Sequence, residues 1–201
     1  MEDRVKSEKS AVDKLQSLEV SMKWDNLAQF RAKVYAKLVR KLVDAFGDEV
    51  MDIAENIRRE SGRYIGRNGV DVIANEKKYA ENPEILINEM HEMWHNSPAS
   101  WGRTCTCAYD KEPEKRRHNL LCLRCTYAIA FREAKEEQIG ITWCCWDMGY
   151  TESFHPLFCQ YMPKHMLKGD GLCWQIRELA KDKEEQQWLN SIEHTGWRSF
   201  K

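Results

Sequence analysis

The chain has 201 residues, 31 of them basic and 32 acidic, for a formal net charge of −1. That length supports one domain with a sizeable core. The even charge balance speaks against the electrostatic footprint of a nucleic-acid binder or an anionic-membrane binder. No apolar run approaches bilayer length, and the start, Met1-Glu2-Asp3-Arg4-Val5-Lys6, lacks a signal-peptide core. A cytoplasmic protein with neither nucleic acid nor membrane as partner is expected.

Residues 1–22 are charged and weakly periodic, which predicts a flexible or helical arm. A single α+β domain is expected over 23–201: a helical part (23–97), a cysteine-rich part of hairpins and a helix (98–180), and a C-terminal helix (181–201). Leu27, Phe30, Val34, Leu38, Val39, Leu42, Val43 and Phe46 recur at helical spacing, opposite Lys33, Lys37, Arg40 and Lys41. Gly47 stops this helix and Asp48 caps the next, which turns Val50, Ile53, Ala54 and Ile57 inward and ends near Ser61-Gly62. Asn82-Pro83 opens a third helix that stops before Pro98.

Strands are predicted over Ser100–Tyr109 and His118–Cys125, joined by the charged, proline-containing turn Asp110–Arg117. Thr126–Glu137 reads as a helix closed by Gly140, and Ile141–Trp146 as a strand or the start of a short helix. Phe158–Leu167 and Leu172–Leu179 flank Lys168-Gly169-Asp170-Gly171, a hairpin signal because glycine supplies positive φ. The tail is a polar helix docked by Trp188 and Trp197. The expected fold class is therefore α+β, with a helical N-terminal half packed on a small antiparallel sheet of two hairpins with an intervening helix.

All eight cysteines lie between Cys105 and Cys173. In a reducing compartment a disulfide framework is not expected, which leaves metal ligation, catalysis or burial. Cys105-x-Cys107 and Cys122-x-x-Cys125, on adjacent strands, offer the four thiolates of a zinc site. His91-Glu92-Met93-Trp94-His95 is a literal H-E-x-x-H on a helix, the pattern of a zinc protease, but polar residues precede it and no third ligand follows. Trp143-Cys144-Cys145-Trp146-Asp147, with Phe154-His155-Pro156 after it, holds the parts of an activated thiol: a cysteine, a carboxylate and an imidazole. His165 is a further imidazole. Plain burial of these cysteines is the alternative reading.

From about Leu121 to Leu179 the chain resembles the L-2-amino-thiazoline-4-carboxylic acid hydrolase family. The pieces are Cys125 leading an amphipathic helix, Cys145-Trp146-Asp147, Phe154-His155-Pro156, and Gly169-Asp170-Gly171-Leu172-Cys173 followed by Trp174. The last hairpin is also similar to that of vinyl-reductase-type ligand-binding domains, some of which hold zinc through cysteines. The resemblance implies a small-molecule hydrolase that opens a five-membered heterocycle at a C–N or C–S bond. It also implies that Cys125, Cys145, Asp147 and Cys173 converge on one pocket with His155 nearby. Cys105, Cys107, Cys122, Cys144 and Cys159 go beyond the family pattern and make a metal, zinc by ligand type, the expected cofactor. A non-catalytic metal- or ligand-binding sensor or carrier would use the same pocket.

Overall fold

A computed structural model describes residues 2–67, 77–79, 81–96, 104–192 and 196–200. Among the described residues the leading helices include α1 (Glu2–Phe46), α2 (Glu49–Arg67) and α3 (Pro83–Asn96). A hairpin follows, β1 (Cys105–Glu112) and β2 (Arg117–Cys125), then α4 (Thr126–Glu133) and α5 (Glu137–Glu152). The second strand pair, β3 (Phe158–Lys164) and β4 (Cys173–Leu179), precedes α6 (Lys183–Ser191). The four strands form one antiparallel sheet in the order β1-β2-β4-β3. The α+β class, the helical front half and the two strand pairs separated by helix are as expected.

The segment expected as an arm is the first part of α1, which runs unbroken to Gly47. There the chain turns left-handed, at φ 86°, and the Gly47 amide donates to Val43 O. The buried face of α1 differs from the expected one: Ala28, Ala32, Ala36 and Val39 are buried, whereas Phe30 is 65% exposed and Leu38 57%. A row of alanines lets a helix approach α4 and α2 closely, and that close approach pushes the larger apolar side chains to the flank. In α2 the same substitution of small for large occurs. Met51, Ala54, Gly62 and Gly66 are buried, while Ile53 and Ile57, expected inward, are exposed. Gly62 lies against the Trp146 backbone and Gly149 against that of Arg59, so any Cβ there would collide with the facing helix. For this reason α2 runs through Ser61-Gly62 rather than ending there, and it packs along α5.

Three further boundaries differ. The helix after β2 ends at Ala134, with Lys135 at φ 57°, and Gly140 sits inside α5 against Phe131 and Leu167. Ile141–Trp146 is accordingly the middle of a helix. The β3–β4 connection is a loop with a 3₁₀ turn, Met166–Lys168, in place of a tight hairpin. Asp170 Oδ2 accepts from His165 N at 2.7 Å, and Gly169 takes φ 100°. Of the two tail tryptophans Trp197 docks, its indole donating to Asp52 Oδ1 at 2.8 Å, while Trp188 is exposed. Residues 100–103 of the first predicted strand lie outside the described residues, and β1 extends to Glu112.

The sheet has two uses. One face carries Cys159, Tyr161 and Ile176, packed with Leu189 of α6. The other borders the cavity lined by residues of α1, α2, α4 and α5, and Cys105, Cys107, Cys122, Cys125 and Cys173 gather there. Among the described residues no helix is long and apolar enough to cross a membrane.

Candidate functional site

On a strand, residues two apart share a face and residues three apart do not. Cys105-x-Cys107 meets that condition; Cys122-x-x-Cys125 does not. The ladder resolves the conflict: Cys105 pairs with Cys125 and Thr106 with Arg124, but Cys107 pairs with Cys122, skipping Leu123. The extra residue is a β-bulge, which bends β2 so that both its cysteines meet β1 on one face. Leu123 is turned outward, 56% exposed. The next strand adds another thiol, because Cys122 lies opposite Cys173 of β4.

The Sγ atoms of Cys105, Cys122 and Cys125 all lie within 4.8 Å of one another, the one such group of three or more His, Cys, Asp or Glu among the described residues. Cys107 falls outside that mutually close set but interacts with Cys105 and Cys122. Bonds of about 2.3 Å in a tetrahedron place sulfurs roughly 3.8 Å apart, so a small contraction of the trio suits a thiophilic divalent ion. Protons are shared unequally among the four thiols. Cys105 and Cys125 lie at opposite extremes: the neighbouring thiols Cys107, Cys122 and Cys125 hold the Cys105 proton on, while donation from Cys105 and Cys122 pulls the Cys125 pKa well down. The Tyr127 and Ala128 amides at the start of α4 lower Cys125 further. Cys107 is pushed down to about 4, chiefly by Cys105 and then Cys122. Cys122 is lowered by Cys105 but raised more by Cys107, Cys125 and burial.

These sulfurs line a cavity of about 610 Å³ between the sheet and the helices. That volume is in the range of small-molecule sites. Cys105, Cys107, Cys122, Cys125 and Cys173 come from the sheet side, and α5 presents Cys144 and Asp147, three apart and so on one helical face. Asp147 is buried and its Oδ1 has no hydrogen-bond partner. Burial raises its pKa to about 6, with Arg177 and Arg58 pulling the other way. Arg177, fully buried on β4, donates to Thr151 Oγ1, Gln160 Oε1 and Gln175 Oε1 and meets His118 Nδ1 at 3.3 Å. Burial lowers its pKa to about 10, and Asp147 is the leading charge that favours its cationic form.

Of the residues singled out in the sequence, Cys105, Cys107, Cys122, Cys125, Cys173, Asp147 and His165 reach the cavity. Cys145 and His155 do not. Cys145 is one position round α5 from Cys144; its Sγ lies 3.4 Å from Ile141 O, its pKa is raised by burial, and the charges that act on it are Glu55 and Arg59 of α2 first, then Arg58 and Asp147. The expected meeting of Cys125, Cys145 and Cys173 therefore becomes a meeting of Cys125 and Cys173 with Cys144 in place of Cys145. His155 is buried in the turn before β3, where Nδ1 accepts from the Leu157 amide at 3.0 Å. Cys159 is on the far face of the sheet. In the H-E-x-x-H segment, His91 sits edge-on to His118 at 5.8 Å and Glu92 is exposed. The His95 side chain lies outside the described residues.

Arg177 and Arg58 were not anticipated. The signal for Arg177 was present in the alternation of β4, where Cys173, Gln175 and Arg177 fall on one face. Arg58 carries no comparable mark in α2. Comparison of the chain with family models, with curated proteins and with solved structures finds no match.

Proposed function

We propose that this chain is a small-molecule hydrolase whose substrate occupies the thiol-lined cavity, with a divalent ion, zinc by ligand type, held by Cys105, Cys122 and Cys125. The observation that carries this reading is the placement of Asp147. A buried carboxyl group with an unpartnered oxygen opens onto the same cavity as three mutually close sulfurs. When bound with an open position, such an ion polarises an acyl or amidine-type group and acidifies its water. Asp147, with a pKa near 6, is largely ionised at neutral pH and is suited to accept a proton from the attacking water. Arg177 holds that charge in place. Water takes the place of a Cys145 nucleophile, Asp147 keeps the part of base, and the resemblance over residues 121–179 favours ring opening of a thiazoline-like substrate or a related cyclic amide.

The test uses zinc-loaded protein and a 2-aminothiazoline carboxylate, with ring opening followed by chromatography. Asp147→Asn should lower kcat by about a hundredfold or more while zinc stoichiometry is kept. Wild-type kcat in that variant rejects the assignment. Cys107, beside the trio, favours a second reading: a closed four-thiolate site in a non-catalytic ligand-binding module. Stoichiometric zinc that needs Cys107, with no turnover of any small heterocycle or amide, selects that reading.

A further inference from the structure

Arg31 of α1 and Arg58 of α2 both line the cavity. Among the described residues neither has a carboxylate within 4.0 Å, whereas Arg40, Arg59, Arg63, Arg117, Arg124 and Arg198 each hold one. Arg58 is also fixed in place. Its guanidinium lies 4.0 Å over the Trp143 indole, and its Nε donates to Trp143 O at 3.3 Å. That contact orients the plane of a fork whose remaining donors have no hydrogen-bond partner among the described residues, in a geometry suited to a carboxylate. The wall beside it is aromatic: Trp143 meets Tyr35 at 5.1 Å and Tyr127 at 5.3 Å between ring centroids.

The charge count points the same way. Among the described lining residues Asp147 is the one carboxylate, set against the three guanidinium groups of Arg31, Arg58 and Arg177. Arg177 is taken up by its buried hydrogen bonds to Thr151, Gln160 and Gln175, which leaves Arg31 and Arg58 as the lining guanidinium groups open to a bound anion.

We propose that the cavity selects a planar aromatic monoanion, its ring against Tyr127 and Trp143 and its anionic group on the fork of Arg58, with Arg31 adding charge at the mouth. This goes beyond the hydrolase reading, whose thiazoline-like ring is not aromatic, and rests on it only in taking this cavity as the substrate site.

The experiment titrates zinc-loaded protein with 2-naphthoate and with its neutral isostere 2-naphthamide, reading tryptophan fluorescence and confirming affinities by calorimetry. The acid should bind at least tenfold more tightly than the amide, the size expected of one charge-assisted contact. Arg58→Met should erase most of that preference and change amide affinity by less than about threefold; if that variant does not fold, exposed Arg31→Met should narrow the gap in the same direction. Equal affinities for acid and amide, no binding of either, or a preference untouched in both variants would overturn the proposal. Anion selectivity without turnover of any substrate sinks the hydrolase reading and leaves this one standing; turnover without anion selectivity does the reverse.

Discussion

Asp147 offers a measurement in which the structure sets both sign and size. Its native pKa is raised by burial from 3.8 to about 6. The folded protein therefore keeps this proton to higher pH than the unfolded chain, and unfolding releases it in between. The stabilising contribution is complete below about 3.8, falls as pH rises through 6, and is gone above that. Linkage makes the full penalty about 3 kcal/mol at pH 8 and roughly 1.6 kcal/mol at pH 5. Asparagine does not titrate, so Asp147→Asn should gain about 1.4 kcal/mol on wild type between those two pH values. Any offset that does not depend on pH, such as altered packing of the amide, cancels in the comparison, and the attraction to Arg177 is already contained in the pKa near 6. Urea unfolding of metal-free wild type and variant at pH 5 and pH 8 measures it, with other titrating groups common to both proteins. A stability difference that stays flat across that interval would mean that Asp147 is not a desolvated carboxylate, and its role as a poised base would fall with it.

Serine replacements divide the cysteines into two sets. Cys105→Ser, Cys122→Ser or Cys125→Ser should abolish the single equivalent of zinc expected of the zinc-loaded wild type, as measured by elemental analysis, while Cys145→Ser and Cys159→Ser should keep it; loss in the second set would contradict the faces assigned to those thiols. Deleting Leu123 removes the skipped residue and leaves a regular ladder with Cys105 still opposite Cys125 and Cys107 opposite Cys122. The folded deletion variant should therefore keep thiolate–cobalt absorption, and its disappearance would refute the bulge as the device that gathers the sulfurs.

Much of the fold was legible because its signals are local. The strands of the first hairpin, the proline-led α3 and the break at Gly47 each follow from a few adjacent residues. The buried faces of α1 and α2 were not legible, because a hydrophobicity pattern weights Phe30, Leu38, Ile53 and Ile57 above alanine and glycine. Close helix contact reverses that ranking when Gly62 and Gly149 face backbone. The thiol cluster was half legible. Its members were evident in their spacing, but the bulge that puts Cys122 and Cys125 on one face depends on pairing with another strand. The choice between Cys144 and Cys145 turns on which side of α5 meets α2; the spacing of Cys144 and Asp147 marks one face of α5 but not which neighbour that face meets.

The cavity itself constrains what the protein does. A sealed, dry void of about 610 Å³ at roughly 24 cal/mol per Å³ would cost on the order of 15 kcal/mol, as much as the whole net stability of an ordinary domain. The space must therefore be filled, by solvent or by ligand, and its lining has the groups to make that filling favourable: an unpartnered carboxylate oxygen, guanidinium groups and a set of thiols. The alanine face of α1 shapes the opening, since Phe30, Val34 and Leu38 flank it and line the cavity while remaining exposed. A chain selected only for stability would fill such a space with one or two of those side chains. Instead the sheet and α5 turn Cys125, Cys173, Asp147 and Arg177 toward it, at a desolvation cost visible in the raised carboxyl and the lowered guanidinium. A bound molecule that satisfied the same groups would recover that cost, which is the physical ground of the proposed ligand's complementary charge.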